Sequence, residues 1–153
     1  MVVSKRKVEN LASLTIAANY KHIARARRFV LSLAQSAAVG DDVVDDIVLA
    51  TVEAVTNSIR HSSSACVVVE VSRSADSMVV RVIDDGRGFN ICSDIREFPC
   101  LEELGGRGIP LMYHLVDDLA INSEPGKGTE VVLLKKLKGN NSATSQKTRA
   151  ASG

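Results

Sequence analysis

The segment EAVTNSIRHS, running from Glu53 to Ser62, places an acid and an amide four residues apart. On a helix that spacing stacks Glu53 and Asn57 on one face, with His61 one turn further along. Val44, Ile47, Val48, Val52, Val55 and Ile59 recur at helical intervals and form an apolar stripe that the acid and the amide lie off. Such a pair belongs either to a solvated face or to the polar wall of a site. Three glycine boxes follow it. DDGRGF, from Asp84 to Phe89, ends a predicted strand with an acid before two glycines; a tight turn needing positive φ gives the same pattern. GGRGIP, from Gly105 to Pro110, opens a predicted helix. Glycines let backbone N–H groups approach an anion and a helix N-terminus adds partial positive charge, so this box reads as a phosphate cradle or as a flexible hinge. GKGTE, from Gly126, precedes a strand and by itself reads as a hairpin turn.

The elements that must position these residues are legible from periodicity. LASLTIAA, from Leu11, has the apolar and β-branched content of a strand. Tyr20 to Ala38 predicts a helix with Ile23, Phe29, Val30 and Leu33 on its apolar side, ended by Gly40. DDVVDD then supplies an Asp cap and further acids for the positive end of the helix carrying the acid–amide pair. CVVVEVSRS and SMVVRVIDD read as two antiparallel strands joined at ADS. Residues 86–108, rich in glycine and charge and holding Pro99, predict mostly loop. IPLMYHLVDDL fits a helix with Pro110 in its first turn, and AINSE, a PGKG turn and TEVVLLKKL give a final strand or hairpin. The expected organisation is a polar leader over residues 1–11, one domain over 12–138 and a disordered polar tail over 139–153.

Composition narrows the function. Of 153 residues, 45% are hydrophobic and 24% charged, and the formal net charge of +1 gives no reason to expect nucleic acid or a membrane as the main partner. Aromatics make up 3% with no Trp, which disfavours stacking platforms for single strands. Cys66, Cys92 and Cys100 are odd in number and lack the close pairs of a zinc site or disulfide framework, so they read as reduced thiols. With no apolar run of membrane-span length and no signal-peptide core, the expected location is the cytoplasm.

Neither the dinucleotide G-x-G-x-x-G nor the P-loop G-x-x-x-x-G-K-[ST] occurs in its proper context. What occurs is an order: E-x-x-x-N on a helix, D-x-G-x-G after a strand, a loop, G-x-G opening a helix, then G-T before a strand. That order resembles the GHKL ATPases, the superfamily that includes gyrase and the histidine kinases. EAVTNSIRHS is especially similar to the matching box of bacterial anti-sigma-factor serine/threonine kinases.

The resemblance implies an α+β two-layer sandwich, with a mixed, mostly antiparallel sheet carrying helices on one face and ATP between the layers. It implies that Glu53 is the general base toward the attacking hydroxyl and that Asn57 coordinates Mg²⁺ bridging the phosphates. Asp84 would accept from the adenine amino group, Gly86 and Gly88 would let the chain pass the base, and Gly106, Arg107 and Gly108 would line the phosphates. Thr129 would complete the adenine side. His61 closes the site or caps its helix. Residues 90–105 would form a lid, in which relatives often carry a basic residue just before the second glycine box. Here the approach reads LEELGG, with Leu104 at that place, and Arg107 or Arg96 is left to take over. Arg28, clustered with Arg25 and Arg27, marks a partner surface or a solvated basic face. The implied activity is phosphorylation of a STAS-type anti-anti-sigma protein, alternating with sequestration of a sigma factor, in a homodimer. The alternatives are a nucleotide-gated binding module without kinase activity and a stand-alone histidine-kinase-type catalytic domain.

Overall fold

A computed structural model describes residues 9–37, 39–90 and 108–137. Its elements run β1 (Glu9–Ala17), a 3-10 turn (Tyr20–His22), α1 (Ile23–Gln35), α2 (Asp41–His61), β2 (Cys66–Arg73), β3 (Ser77–Asp84), α3 (Gly108–Leu115), β4 (Asp118–Glu124) and β5 (Gly128–Lys136). The strands form one sheet in the order β1-β2-β3-β5-β4. Every pairing is antiparallel, so the described sheet has none of the expected mixed character.

Alternation along the strands sets the two faces of the sheet. Val67, Val69 and Val71 on β2 and Met78, Val80 and Val82 on β3 are buried toward the helices, and the residues between them are only half-buried. On that second face Arg81 spans three strands, donating to Glu70 on β2 at 2.7 Å and Glu130 on β5 at 2.6 Å. The Glu130 hydrogen bond is the main reason that the guanidinium pKa lies above its ordinary value. α1 buries Ala26, Val30 and Ala34, one residue per turn. α2 is the central helix, packed on α1, on α3 and on β2, β3 and β5. Ala50 and Ala54 are fully buried along it, and Thr51 satisfies its hydroxyl on the Ile47 carbonyl at 2.7 Å.

Several boundaries depart from the sequence expectation. β1 begins two residues before the LASLTIAA run, paired with the end of β2. The helix expected from Tyr20 opens with a 3-10 turn capped by the Asn19 side chain and ends at Gln35, so Gly40 does not terminate it. Gly40 is instead the N-cap of α2, without a side-chain cap, and Asp41 and Asp42 lie inside the first turn. Their charges still face the positive helix end, with Arg60 and His61 in the last turn. α3 stops at Leu115, short of the predicted VDDL, because pairing with β5 claims Asp118 onward and buries Leu119 and Ile121 by strand alternation. Cys66 is a half-buried free thiol. Cys92, Cys100, the expected lid apart from Asn90, and the tail lie outside the described residues. No described helix is long and apolar enough to cross a membrane.

Leu133, fully buried at the middle of β5, tests the core directly. Leu133→Ala is expected to lower unfolding stability in urea by about 2–5 kcal/mol, whereas Leu49→Ala should change it by no more than about 0.5 kcal/mol. The contrast arises because Leu49 is 43% exposed.

Candidate active site

The C-terminal end of β3 brings Asp84 into the interior at 5% exposure. A carboxylate in such a place must have donors. Ser58 Oγ on α2 donates to Oδ2 at 2.7 Å, and the Gly86 N–H donates to Oδ1 at 3.0 Å. Both oxygens are thereby oriented while lone pairs remain for a ligand donor.

The loop after Asp84 is held on two sides. Arg87 N–H donates to the Ser62 carbonyl at 2.8 Å, at the end of α2, and Gly126 N–H donates to the Arg87 carbonyl at 2.6 Å, from the β4–β5 turn. Ser64 Oγ hydrogen-bonds the Asp85 carboxylate. Gly88 has φ +61°, and a Cβ there would stand 2.0 Å from the Glu124 carbonyl oxygen. Gly128, at φ +82°, lies against the Asp84 carbonyl oxygen at 2.1 Å by the same measure. Side chains are excluded at both positions by conformation and by space. The third glycine box is thus a hairpin turn that also braces the site. Thr129 Oγ1 shares a 2.8 Å hydrogen bond with Ser123 Oγ, which accepts the Phe89 N–H at 2.9 Å.

These groups surround a cavity of about 310 Å³ between α2, α3 and the sheet. One wall is apolar, from Ala54, Phe89, Ile109, Met112, Ile121 and Val131; Asn57, Ser58, His61, Asp84 and Thr129 supply polar groups. An apolar slot with a few convergent polar groups suits a planar heterocycle with polar edges. At the start of α3, a Cβ on Gly108 would lie 2.9 Å from Asn57 Nδ2 and 3.3 Å from Glu53 Oε2. The acid–amide face therefore meets the first turn of the glycine-box helix.

Of the residues singled out from sequence, Asn57, Asp84, Gly88 and Thr129 line the cavity, Gly86 binds Asp84, and Glu53 stands beside Gly108 at its edge. Gly106 and Arg107 lie outside the described residues. Arg28 is exposed on α1 with Arg25 and Arg27, away from the cavity lining. His61 is exposed and lines the cavity at the end of α2. Sequence reasoning missed Ser58 and Ser123. The signal for Ser58 was a hydroxyl on the buried side of α2, where a polar group needs a partner. Ser58→Ala removes a donor from a buried carboxylate, and a loss of about 1–3 kcal/mol in unfolding stability is expected. Thermal denaturation of the variant beside the wild type would check it.

The family described as histidine kinase-like ATPase domain matches residues 16–135. The chain is 30% identical over 142 residues to an anti-sigma F factor of Clostridium acetobutylicum, covering 85% of this chain and 96% of the relative. It is 26% identical over 135 residues to the serine-protein kinase RsbW of Listeria monocytogenes, covering 80% and 85%. A crystal structure of the RsbU and RsbW domains of a Mycobacterium tuberculosis protein superimposes with a TM-score of 0.61 at 20% identity, over 83% of this chain and 33% of that one. The likeness to that structure is one of fold. With the family match running from β1 to β5 and the near-complete overlap with an anti-sigma F factor, the chain belongs to the histidine kinase-like ATPase domain family, alongside the anti-sigma F factors.

Proposed function

We propose that the chain is an ATP-dependent serine/threonine protein kinase that acts as an anti-sigma factor. In this reading it phosphorylates a STAS-type anti-anti-sigma protein, sequesters a sigma factor, and works as a homodimer in the cytoplasm. The observation that carries the proposal is the placement of Glu53 and Asn57 against Gly108, beyond the polar groups gathered around Asp84. Adenine occupies the apolar slot with its amino group toward Asp84, and Thr129 faces the same end. A guanine carbonyl in that place would be repelled by the carboxylate, which supports selection of adenine. The phosphates extend toward the start of α3, where backbone N–H groups and the helix end favour negative charge. Gly106 and Arg107 complete that cradle in this reading.

Among the described residues no three His, Cys, Asp or Glu side chains gather into a metal site. A single amide beside a phosphate cradle fits Mg²⁺ carried in by the nucleotide, since that ion keeps most of its shell as water and phosphate oxygen. Asn57 is the residue that would hold it, and the ion supplies charge neutralisation on the phosphates. Glu53 orients the acceptor Ser or Thr hydroxyl and takes its proton as the oxygen bonds to the γ-phosphorus and ADP leaves. Arg28 and its neighbours on α1 form the protein-binding face.

Glu53→Ala is expected to retain Mg-ATP binding and to lose phosphoryl transfer by about 10²-fold or more. Label transfer from γ-labelled ATP to proteins of the source lysate would read this, with a small protein labelled on Ser or Thr by wild type alone. Equal loss of binding and transfer would remove Glu53 from its assigned role. Nucleotide binding without any labelled protein would favour the gated binding module, a reading supported by the absence of a basic residue at Leu104. An acid-labile phosphohistidine would favour the histidine-kinase type.

A further inference from the structure

Val131 and Leu133 on β5 are buried toward the helices, so Lys135 enters the same layer by parity. There it pairs in register with Met78, which is fully buried, and its own side chain is only 13% exposed. An ammonium in that layer requires partners. Nζ donates to Asp46 Oδ2 on α2 at 3.0 Å and to the carbonyl of Leu115, the last residue of α3, at 2.7 Å. The second contact places a cation at the negative end of a helix. β5 fastens this end of α3 further, because Asp117 N–H donates to the Leu134 carbonyl at 2.9 Å and Asp117 Oδ2 accepts the Lys136 N–H at 2.7 Å.

The other end of α3 is Gly108, standing against Glu53 and Asn57. On α2, Asp46 and Glu53 lie two turns apart, about 10 Å, and the span from Gly108 to Leu115 on α3 is about the same. The two helices therefore run antiparallel, tied at one end through Lys135 and meeting at the other at the acid–amide pair. Between these ends α3 buries Ile109 and Met112, whose apolar contacts are non-directional and do not by themselves specify one position along α2. The contacts of Lys135 are directional.

We propose that Lys135 is a positioning residue for the phosphate end of the nucleotide site. By joining Leu115 to Asp46 it sets where Gly108 stands relative to Glu53 and Asn57. The proposal rests on the nucleotide-binding reading above. The polar groups of the base end, Asp84, Ser58 and Thr129, are held by β3, α2 and the start of β5, so the tie reaches that end only through the apolar wall of Ile109 and Met112.

The test is calorimetric titration of the full chain with Mg-ATP and, separately, with adenosine. Lys135→Met keeps an unbranched stem but removes the donors, whereas Lys135→Arg keeps a cation that can donate to both partners. Lys135→Met is expected to weaken Mg-ATP binding about tenfold and adenosine binding by less than about twofold, with Lys135→Arg within about threefold of wild type for both. Equal weakening of the two ligands would mean general loosening and would overturn the proposal, as would unchanged Mg-ATP binding. Should Lys135→Met fail to fold, Asp46→Ala carries the test, since Asp46 is 40% exposed and its removal opens little of the core. The same separation of the two ligands is expected there, and its absence overturns the proposal alone. Wild-type chain that bound neither ligand would overturn the nucleotide-site reading, and this proposal with it.

Discussion

A carboxylate at the end of a central strand, almost closed to water, is the constraint around which this molecule is arranged. Asp84 is tolerable there because Ser58 comes from α2 and Gly86 from the adjoining loop to satisfy its two oxygens. Meeting that need fixes the roll of α2 on the sheet, since Ser58 reaches Asp84 only when its face of the helix is turned inward. The same rotation turns Asn57 toward the cavity and Glu53 toward α3. It also draws the chain after Asp84 back across Ser62 and onto the β4–β5 turn. The polar groups around Asp84 and the acid–amide pair beside Gly108 thus share one mechanical origin.

α2 carries both kinds of work along its length. Its first half buries Val43, Val44, Ile47 and Val48. Its second half interleaves buried Ala54, Val55 and Ser58 with half-buried Glu53 and Asn57. A helix that packs against two other helices and three strands has little freedom to rotate, and that rigidity fixes where Glu53 and Asn57 stand. The loops around the cavity are secured separately, by glycines whose conformations and close approaches no side chain would permit.

Much of this was legible in the sequence because it depends on local period. Val67 to Val71 and Met78 to Val82 alternate as strands must, and Glu53 and Asn57 stand four apart on an unmistakable helix. The order of the boxes then pointed to the family that the comparisons bear out. What stayed hidden depends on partners distant in the chain. Ser58 meets Asp84, and Ser123 meets Phe89, across separations that no window of periodicity spans. The end of α3 was misjudged for the same reason: Leu119 and Ile121 suit a helix or a strand, and the free edge of β5 decides between them. Gly40 looked like a helix stop and proved to be a helix start, because a glycine between two helices is compatible with either.

The pairing of β3 with β5 has a consequence for how the chain can vary. Asp84 and Thr129 face each other in register, so the two ends of a long excursion, which includes α3 and β4, are clamped together by the sheet. Once ends are fixed in this way, the entropy of closing the chain between them grows only with the logarithm of its length, about 0.6 kcal/mol for each doubling. A change in the number of residues between Asp84 and Thr129 therefore costs little in closure entropy, while the register that holds the two ends stays the same. The sheet acts as a fixed frame, and the stretch it brackets is where the length of the chain can change without disturbing that frame.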